Sequence, residues 1–363
     1  MSLVADVHRV AVLRANALGD YLFAVPALEA VRAAYPAAEI VLLGAPWHAE
    51  ALTGRPGPVD RVLVVPAGPG IRAPVADDPV PADQLPRFVE EARAEGFDLA
   101  LQLHGGGGNS NPLVSALGAR VTAGLRAPGA PALDRTVPYA NYQPEVFRHL
   151  EVVALVGAEP VTYRPRFAVT PADRDEADRA APSVNGARRV VLHPGATDPR
   201  RRWPAARFAA VGRSLVGAGA EVLVTGQSDE KDLVAEVCAG AGPGVRPVVG
   251  ELSTGGLAAL LAGAALVVAN DTGPFHLATA VGTPAVGVFW VGNYMNFAPT
   301  DRATCRPIVS WTVHCPLCGV DCTRDLYPHR GGRPPCRHRV SFVADVPVIE
   351  VLAEAEDLLG SSA

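Results

Sequence analysis

Short, almost continuous apolar segments alternate along this chain with longer, alanine-rich segments. Segments that are apolar at nearly every position are typical of strands covered on both faces. Helical segments separate them, for example at 20–35, 204–218 and 228–239. Strands and helices in alternation predict parallel sheets with right-handed crossovers. The predicted strands lie at 10–14, 39–44, 61–66, 99–104, 189–195, 220–226, 265–270 and 284–290.

The strand and helix pattern starts again in the second half of the chain. A polar segment rich in breaking residues, AVTPADRDEADRAAPSVNGAR, follows Phe167 and precedes a new strand. We therefore place a boundary near 170–187 and predict two doubly wound α/β domains, 1–170 and 171–363, facing each other across a cleft. A chain of 363 residues has the length of two domains of ordinary size.

Composition narrows the classes of partner and compartment. The chain is 49% hydrophobic and 19% charged with a net charge of −5, so nothing in it indicates nucleic acid as a partner. Asp6, His8 and Arg9 interrupt the N-terminal apolar stretch, which argues against a signal peptide. No uncharged apolar run reaches the roughly 18 residues of a membrane span. We expect a cytoplasmic protein with no transmembrane segment, and peripheral membrane contact stays open.

Polar loops follow two predicted strands of the first domain, where doubly wound sheets bind ligands. Asp20 lies in the loop RANALGD, where the next helix begins, and is interpreted either as a helix cap or as a carboxylate placed as a general base. His104, Gly105 and Gly106 lie in LQLHGGGGNSNPL. Its glycines fit a flexible turn and a ligand-binding loop equally well.

Two corresponding loops in the second domain carry arginines and a histidine. The segment HPGATDPRRRWP places three arginines before a helix, as a solvated face or as a clamp for a diphosphate. The segment NDTGPFHLATAVGTPA offers Asp271 and Thr272 as caps, Gly273 for a tight turn and His276 one turn into the helix. Together the two segments predict a pocket for a nucleotide diphosphate.

A cysteine-rich loop is predicted at 305–338 in the second domain. The spacing Cys315-x2-Cys318-x3-Cys322, followed by Cys336, indicates a structural zinc site. Reduced thiols without a ligand and an iron–sulfur cluster are the alternatives. Cysteines in a cytoplasmic protein argue against a disulfide framework.

Four segments together resemble glycosyltransferase family 9, the ADP-heptose:lipopolysaccharide heptosyltransferases and their relatives. They occur in the family's order, and NDTGPFHLATAVGTPAVGVF is the most specific. The resemblance implies the GT-B fold, which consists of two Rossmann-like domains. The segments are LRANALGDYLFAVPALEAVRAAYP, HPGATDPRRRWPAARF, TGQSDEKD and NDTGPFHLATAVGTPAVGVF.

The resemblance also implies residue roles. Asp20 matches the catalytic base, and the glycine loop with His104 matches the loop on the acceptor side. Four consecutive glycines are unusual in that loop of the family. Arg201 stands where the family has a lysine on the nucleotide diphosphate, which puts the geometry of that contact in doubt. The donor-binding residues implied are Thr197, Arg201, Glu230, Asp271, Thr272, Gly273 and His276.

The reaction implied is inverting transfer of a sugar, heptose from ADP-heptose, to a hydroxyl of a glycan or small-molecule acceptor. The chemistry requires no metal, because helix N–H groups and cationic side chains stabilise the leaving diphosphate. Two alternatives stay open. One is a non-catalytic protein that binds nucleotide sugars, and the other is an NAD-dependent oxidoreductase. Against the latter, no G-x-G-x-x-G follows strand 10–14.

Overall fold

The chain forms two compact units, 1–168 and 169–363, each built around its own parallel sheet. The structure is a computed structural model that describes residues 2–73, 83–183, 186–323 and 336–360. Within that part of the chain, no helix is long and apolar enough to span a bilayer.

The first unit is a six-stranded sheet in the order β3-β2-β1-β4-β5-β6, with every neighbouring pair parallel. The order reverses between β1 and β4, and the loops that follow these strands therefore lie together at the usual ligand position of such sheets. The strands are β1 Arg9–Leu13, β2 Glu39–Gly44, β3 Arg61–Val64, β4 Leu99–Gln102, β5 Val121–Arg126 and β6 Arg135–Pro138. The helices are α1 Leu18–Ala34, α2 Pro46–Leu52, α3 Gln84–Ala94, α4 Ser110–Ala116 and α5 Glu145–Ala154.

The second unit repeats this topology, with the order β12-β11-β10-β7-β8-β9 and a reversal between β7 and β10. Short 3₁₀ turns at Pro199–Arg201 and Ser228–Glu230 follow β7 and β8. The strands are β7 Arg189–His193, β8 Glu221–Gly226, β9 Val245–Val249, β10 Leu266–Asn270, β11 Ala285–Trp290 and β12 Cys305–Ser310. The helices are α6 Pro171–Ala180, α7 Ala205–Gly217, α8 Lys231–Ala241, α9 Thr254–Ala262, α10 Gly273–Ala280, α11 Val291–Phe297 and α12 Val348–Gly360.

Two doubly wound parallel sheets confirm the predicted fold class. The strands that the apolar pattern missed are β5, β6, β9 and β12. Edge strands β6 and β9 are partly exposed, so their composition is mixed. Strand β5 is central but contains Gly124, where a Cβ would lie 2.6 Å from the Cβ of Gln102. Packing of the sheet demands glycine there, and this glycine interrupts the apolar run.

Candidate active site

The loops after β7 and β10 are joined by Asn270, the fully buried last residue of β10. Its Oδ1 accepts a hydrogen bond from the backbone N–H of Trp203 at 2.9 Å, and its Nδ2 donates to the Pro194 carbonyl at 2.7 Å. One amide therefore fixes the loop 194–203 against the end of β10. The sequence analysis did not single out Asn270, although its place beside Asp271 was a signal.

Asp271 and His276 form a buried pair at the start of α10. The Asp271 carboxylate is 1% exposed, its Oδ1 lies 3.0 Å from His276 Nε2, and the Asn293 amide donates to its Oδ2 at 2.8 Å. Burial raises the pKa of Asp271, but the hydrogen bond and charge of His276, the charge of Arg201 and the Asn293 amide together lower it. An ionised Asp271 thus orients the imidazole, and it does not cap the helix.

The N-terminus of α10 has no side-chain cap. Thr272 occupies the N-cap position, and no side-chain hydrogen bond to the helix is formed there. Its Oγ1 lies 3.4 Å from the Asn270 carbonyl oxygen. The first N–H groups of a helix have no intrahelical partner and attract anions. This end of α10 can therefore accept a phosphate group.

The three consecutive arginines have three different environments. Arg201 donates from Nη1 to the backbone oxygen of Asp271 at 2.9 Å and so joins the two loops. Arg200 is paired with Asp198, with Nη2 to Oδ2 at 2.6 Å, and Arg202 donates from Nε to the Ala196 carbonyl at 2.7 Å. Of the three, Arg201 alone contacts the α10 turn directly. The structure thus places one arginine of the predicted clamp beside Asp271 and His276.

Thr197 and Glu230 lie on the flanks of the same loop. Thr197 is exposed, and Glu230 follows β8, where its Oε2 accepts a hydrogen bond from the backbone N–H of Gln227 at 3.0 Å. A Cβ on Gly195 would collide with Glu230 Oε1. Glycine at 195 therefore lets the Glu230 carboxylate approach the loop backbone.

In the first unit, Asp20 lies at the reversal point of the sheet, beside the end of β1. It is the third residue of α1, whose N-cap is Ala17, so the structure contradicts its interpretation as the cap. Its Oδ1 accepts a hydrogen bond from Arg14 Nη2 at 2.8 Å, and its side chain is 29% exposed. Within the described residues, Oδ2 has no hydrogen-bond partner. Asp20 is an oriented carboxylate with one oxygen left for another ligand.

A buried charge network that the sequence analysis missed supports Asp20. Arg14 Nη2 also donates to Glu145 Oε2 at 3.0 Å, and its Nη1 donates to the Leu103 carbonyl at 2.6 Å. The other oxygen of Glu145 pairs with Arg148. Arg14 and Arg148 are each 2% exposed. The only sequence signal was an arginine at the end of an otherwise apolar strand.

His104 and the glycine loop form a fixed turn beside β1, the strand that precedes Asp20. His104 Nδ1 accepts a hydrogen bond from the Ala15 N–H at 3.2 Å, and the amide of Gln102 donates to the carbonyls of His104 and Gly105 at 2.5 and 3.0 Å. Gly105 has φ 64°, and a Cβ on Gly106 would lie 2.9 Å from the Cβ of Ala127. These glycines are required by backbone conformation and close packing.

The sequence comparison decides the family of this chain. A sequence model described as glycosyltransferase family 9 (heptosyltransferase) matches residues 86–312, which is more than half of the chain. The chain belongs to glycosyltransferase family 9. The resemblance inferred from the four segments is thereby confirmed.

Family 9 proteins of known sequence and structure agree with this assignment. Lipopolysaccharide heptosyltransferase 3 of Escherichia coli is 28% identical over 221 residues, 59% of this chain and 60% of that protein. The family 9 glycosyltransferase of Veillonella parvula DSM 2008 shares the fold with a TM-score of 0.76 at 19% identity, covering 98% of this chain and 97% of that one. The E. coli ADP-heptose lps heptosyltransferase II does so with a TM-score of 0.73 at 17% identity, covering 98% and 99%.

The second unit of this family 9 protein also contains a cluster of four side chains that could bind a metal ion. Cys315, Cys318, Cys336 and His338 bring three sulfurs and a ring nitrogen within 4.8 Å of one another. The structure thus places His338 in the cluster where the sequence analysis predicted Cys322, whose Sγ lies 3.5 Å from the Val320 carbonyl oxygen. Spacing alone favoured the four thiols over the histidine two residues after Cys336.

Three of the distances between donor atoms in this cluster fit a metal ion with tetrahedral coordination. Bonds of about 2.3 Å to sulfur and about 2.0 Å to nitrogen separate the donor atoms by about 3.5 to 3.8 Å. The Sγ atoms of Cys318 and Cys336 lie 3.7 Å apart, and His338 Nδ1 lies 3.6 Å from the Sγ atoms of Cys315 and Cys336. Desolvation raises the pKa of the Cys315 thiol, but hydrogen bonds from neighbouring backbone N–H groups and from the thiols of Cys336 and Cys318 lower it to about 6.

A fold neighbour shows that metal occurs in this fold. The iron-containing dodecameric glycosyltransferase TibC of enterotoxigenic E. coli has a TM-score of 0.58 and 15% identity to this chain, covering 99% of it and 78% of TibC. In this chain, the described donor set suits zinc or iron.

We expect His104 to make folding stability depend on pH. Burial and, less strongly, the charge of Arg14 lower its pKa to about 4. The ordinary pKa of histidine is about 6.5, so below that pH the side chain is protonated in the unfolded chain while it is still neutral in the folded chain. The free energy of unfolding therefore falls as the pH falls from about 6.5 towards 4. In His104→Asn, whose amide oxygen can accept the Ala15 hydrogen bond, the slope of unfolding free energy between pH 5 and 6 becomes shallower by about 1 kcal/mol per pH unit.

Urea unfolding at several pH values measures this slope. His8→Asn, at an exposed position, is the matched control, against which the slope of His104→Asn is compared. An unchanged slope in His104→Asn would show that His104 takes up its proton without unfolding.

Proposed function

We propose that this chain is an inverting glycosyltransferase that transfers heptose from ADP-heptose to a hydroxyl of a glycan or small-molecule acceptor. One observation carries the proposal. At the reversal point of the second sheet, an uncapped helix N-terminus, the Arg201 guanidinium and the Asp271–His276 pair meet at one polar loop. Membership of family 9 and the fold shared with an ADP-heptose heptosyltransferase support the same reaction.

Most of the proposed donor-binding residues contact the diphosphate, and one contacts the ribose. The free backbone N–H groups in the first turn of α10, where Pro274 has none to offer, bind the diphosphate together with Arg201 and His276. These groups stabilise the charge that develops on the diphosphate. Exposed Thr197 adds a hydroxyl donor on the same loop. Glu230, held beside Gly195, accepts hydrogen bonds from the ribose. These groups provide the positive potential that the departing ADP requires, so the chemistry needs no metal ion.

Asp20 acts as the general base in this proposal. Its Oδ2 removes the proton from the acceptor hydroxyl while the hydroxyl oxygen forms a bond to the anomeric carbon of the sugar. The bond from that carbon to the phosphate oxygen breaks on the opposite side, which inverts the configuration, and the electron pair leaves with ADP. Arg14 orients the Asp20 carboxylate by donating from Nη2 to Oδ1.

His104, Gly105 and Gly106 are proposed to contact the acceptor. Burial keeps His104 neutral near pH 7, so its imidazole can exchange hydrogen bonds with a sugar hydroxyl without adding charge. Its fixed turn leads from β4 to α4, at the same reversal point as Asp20. No observation favours the NAD-dependent oxidoreductase or the non-catalytic binding protein.

We further propose that Cys315, Cys318, Cys336 and His338 hold a structural zinc ion. A bound ion would cross-link a segment of irregular structure, which is the usual contribution of such sites to folding. The thiols form no disulfide. This state and the metal site agree with the expected reducing, cytoplasmic compartment.

Calorimetric titration of the purified protein with ADP, UDP, GDP and NAD tests the donor assignment, with the metal content measured on the same sample. We expect ADP to bind at least about tenfold more tightly than the other nucleotides, which corresponds to about 1.4 kcal/mol. Preference for UDP or GDP would change the donor and keep the transferase. Binding of NAD alone would contradict the proposal.

A further inference from the structure

A basic pocket of about 310 Å³ lies beside the donor loop, within the second unit. One wall is the loop from Thr197 to Arg201, and the other is the segment Cys336–Arg339. The single acid in its lining, Asp198, is paired with Arg200. The pocket therefore carries an excess of positive charge and suits an anion with more than one negative charge.

Arg337 and Arg339 supply much of this charge. Both are exposed, and neither has an ion-pair or hydrogen-bond partner among the described residues. Arg201, on the opposite wall, already contacts the turn at Asp271. Guanidinium groups are well shaped to bind phosphate oxygens in pairs. The two free arginines thus face the same pocket as the residue that we place on the donor diphosphate.

Both walls of the pocket are joined by direct hydrogen bonds. The backbone N–H of Phe342 donates to the Arg200 carbonyl at 2.7 Å, and Ser341 Oγ donates to the Arg202 carbonyl at 2.6 Å. The segment 336–342 therefore follows the donor loop closely. Residues 336–340 themselves form neither helix nor strand, so local backbone structure does not hold them.

The metal-ligand cluster holds the other end of this segment. Cys336 and His338 are two of its four donors, and they alternate with Arg337 and Arg339. Arg337 lies between the two donors and Arg339 follows the second directly, so fixing residues 336 and 338 by their side chains restricts where the two arginines can lie.

We propose that Arg337 and Arg339 bind the diphosphate of the donor, and that the four-residue cluster, by holding a metal ion, keeps them in the pocket. The identity of the ligand rests on the proposed function. In this proposal the cluster acts by positioning the two arginines.

Calorimetric binding of ADP and AMP to the double variant Arg337→Ala/Arg339→Ala tests the first part. We expect the Kd for ADP to rise about tenfold or more and the Kd for AMP to change much less, because two charge-assisted contacts to the diphosphate are lost. Inorganic pyrophosphate should compete with ADP in the native protein and lose this ability in the variant. Arg337→Lys/Arg339→Lys, which keeps the charge, should recover part of the affinity.

The matched control removes two exposed arginines from α6 of the same unit, as Arg174→Ala/Arg179→Ala. It separates a local contact from the general loss of positive charge. An unchanged ADP affinity in the pocket variant, or an equal loss in the control, would overturn the role of the two arginines. If the native protein bound no ADP, the proposed function itself would fail, which is a different result.

Metal removal tests the second part. A chelator should release the ion, leave the far-UV circular dichroism of the sheets intact and raise the Kd for ADP by about the same factor as the double variant. In the double variant, metal removal should raise the Kd for ADP little further, because both changes remove the same contacts. His338→Cys should retain the metal, and His338→Ala should weaken it. Unchanged ADP affinity in the folded, metal-free protein, or a protein that takes up neither zinc nor iron, would overturn the positioning role.

Discussion

Replacement of Asp20 by asparagine is expected to lower kcat by about two to four orders of magnitude, the usual contribution of a general base. The amide has nearly the same shape and can still accept the hydrogen bond from Arg14, but it cannot take the proton of the acceptor hydroxyl. The Kd for ADP should stay within about twofold, because the donor site lies in the other unit. Steady-state transfer from ADP-heptose and calorimetry measure the two quantities.

Asp83→Asn is the matched control for this experiment. Asp83 is 55% exposed and pairs with Arg87 on the surface of the same unit, so its loss should leave kcat unchanged. A native rate of transfer in Asp20→Asn would exclude Asp20 as the base. A parallel loss of ADP affinity would instead show that the substitution acts on the fold.

Replacement of Glu145 by alanine is expected to lower the free energy of unfolding by about 3 to 5 kcal/mol. Glu145 is the carboxylate shared by Arg14 and Arg148, and the side chains of the three residues are only 8%, 3% and 2% exposed, respectively. Its loss leaves two buried guanidinium groups without a partner on that side. Loss of the Arg14 contact should also lower kcat, since Arg14 orients Asp20.

Urea unfolding measures the stability change, with Glu151→Ala as the control on the exposed face of the same helix. The control should change stability by less than about 0.5 kcal/mol. A loss below about 1 kcal/mol in Glu145→Ala would show that water or a rearranged side chain compensates both arginines.

Local pattern was enough to predict the fold class and to single out the loops after β7 and β10, where we propose that the donor binds. Apart from polar residues near their ends, strands β1, β2, β7, β8, β10 and β11 are apolar, because both faces of a central parallel strand are covered. The motif after β10 was recognised from its sequence because Asp271, Thr272, Gly273 and His276 are neighbours in the chain. Edge strands β6 and β9 gave too weak a signal because they are partly exposed.

Contacts between distant residues could not be predicted in this way. Arg14 and Glu145 are 131 positions apart, and nothing local in either segment indicates the pair. Asn270 fixes a loop that begins 76 positions earlier. The same holds for His338, which the fold brings to Cys315 across 23 positions in place of the nearer Cys322.

By itself, the sequence determined that this protein has two doubly wound domains of glycosyltransferase family 9, and it singled out the short segments in which we place its chemistry, because hydrophobic periodicity and turn residues are local properties. The tertiary structure alone decided how those side chains are used. It paired Asp20 with the buried Arg14, paired Asp271 with His276, and placed Arg337 and Arg339 beside the loop that follows β7. Hydrogen bonds and ion pairs form between neighbours in space, and their partners are fixed only when the strands take their order in the sheet.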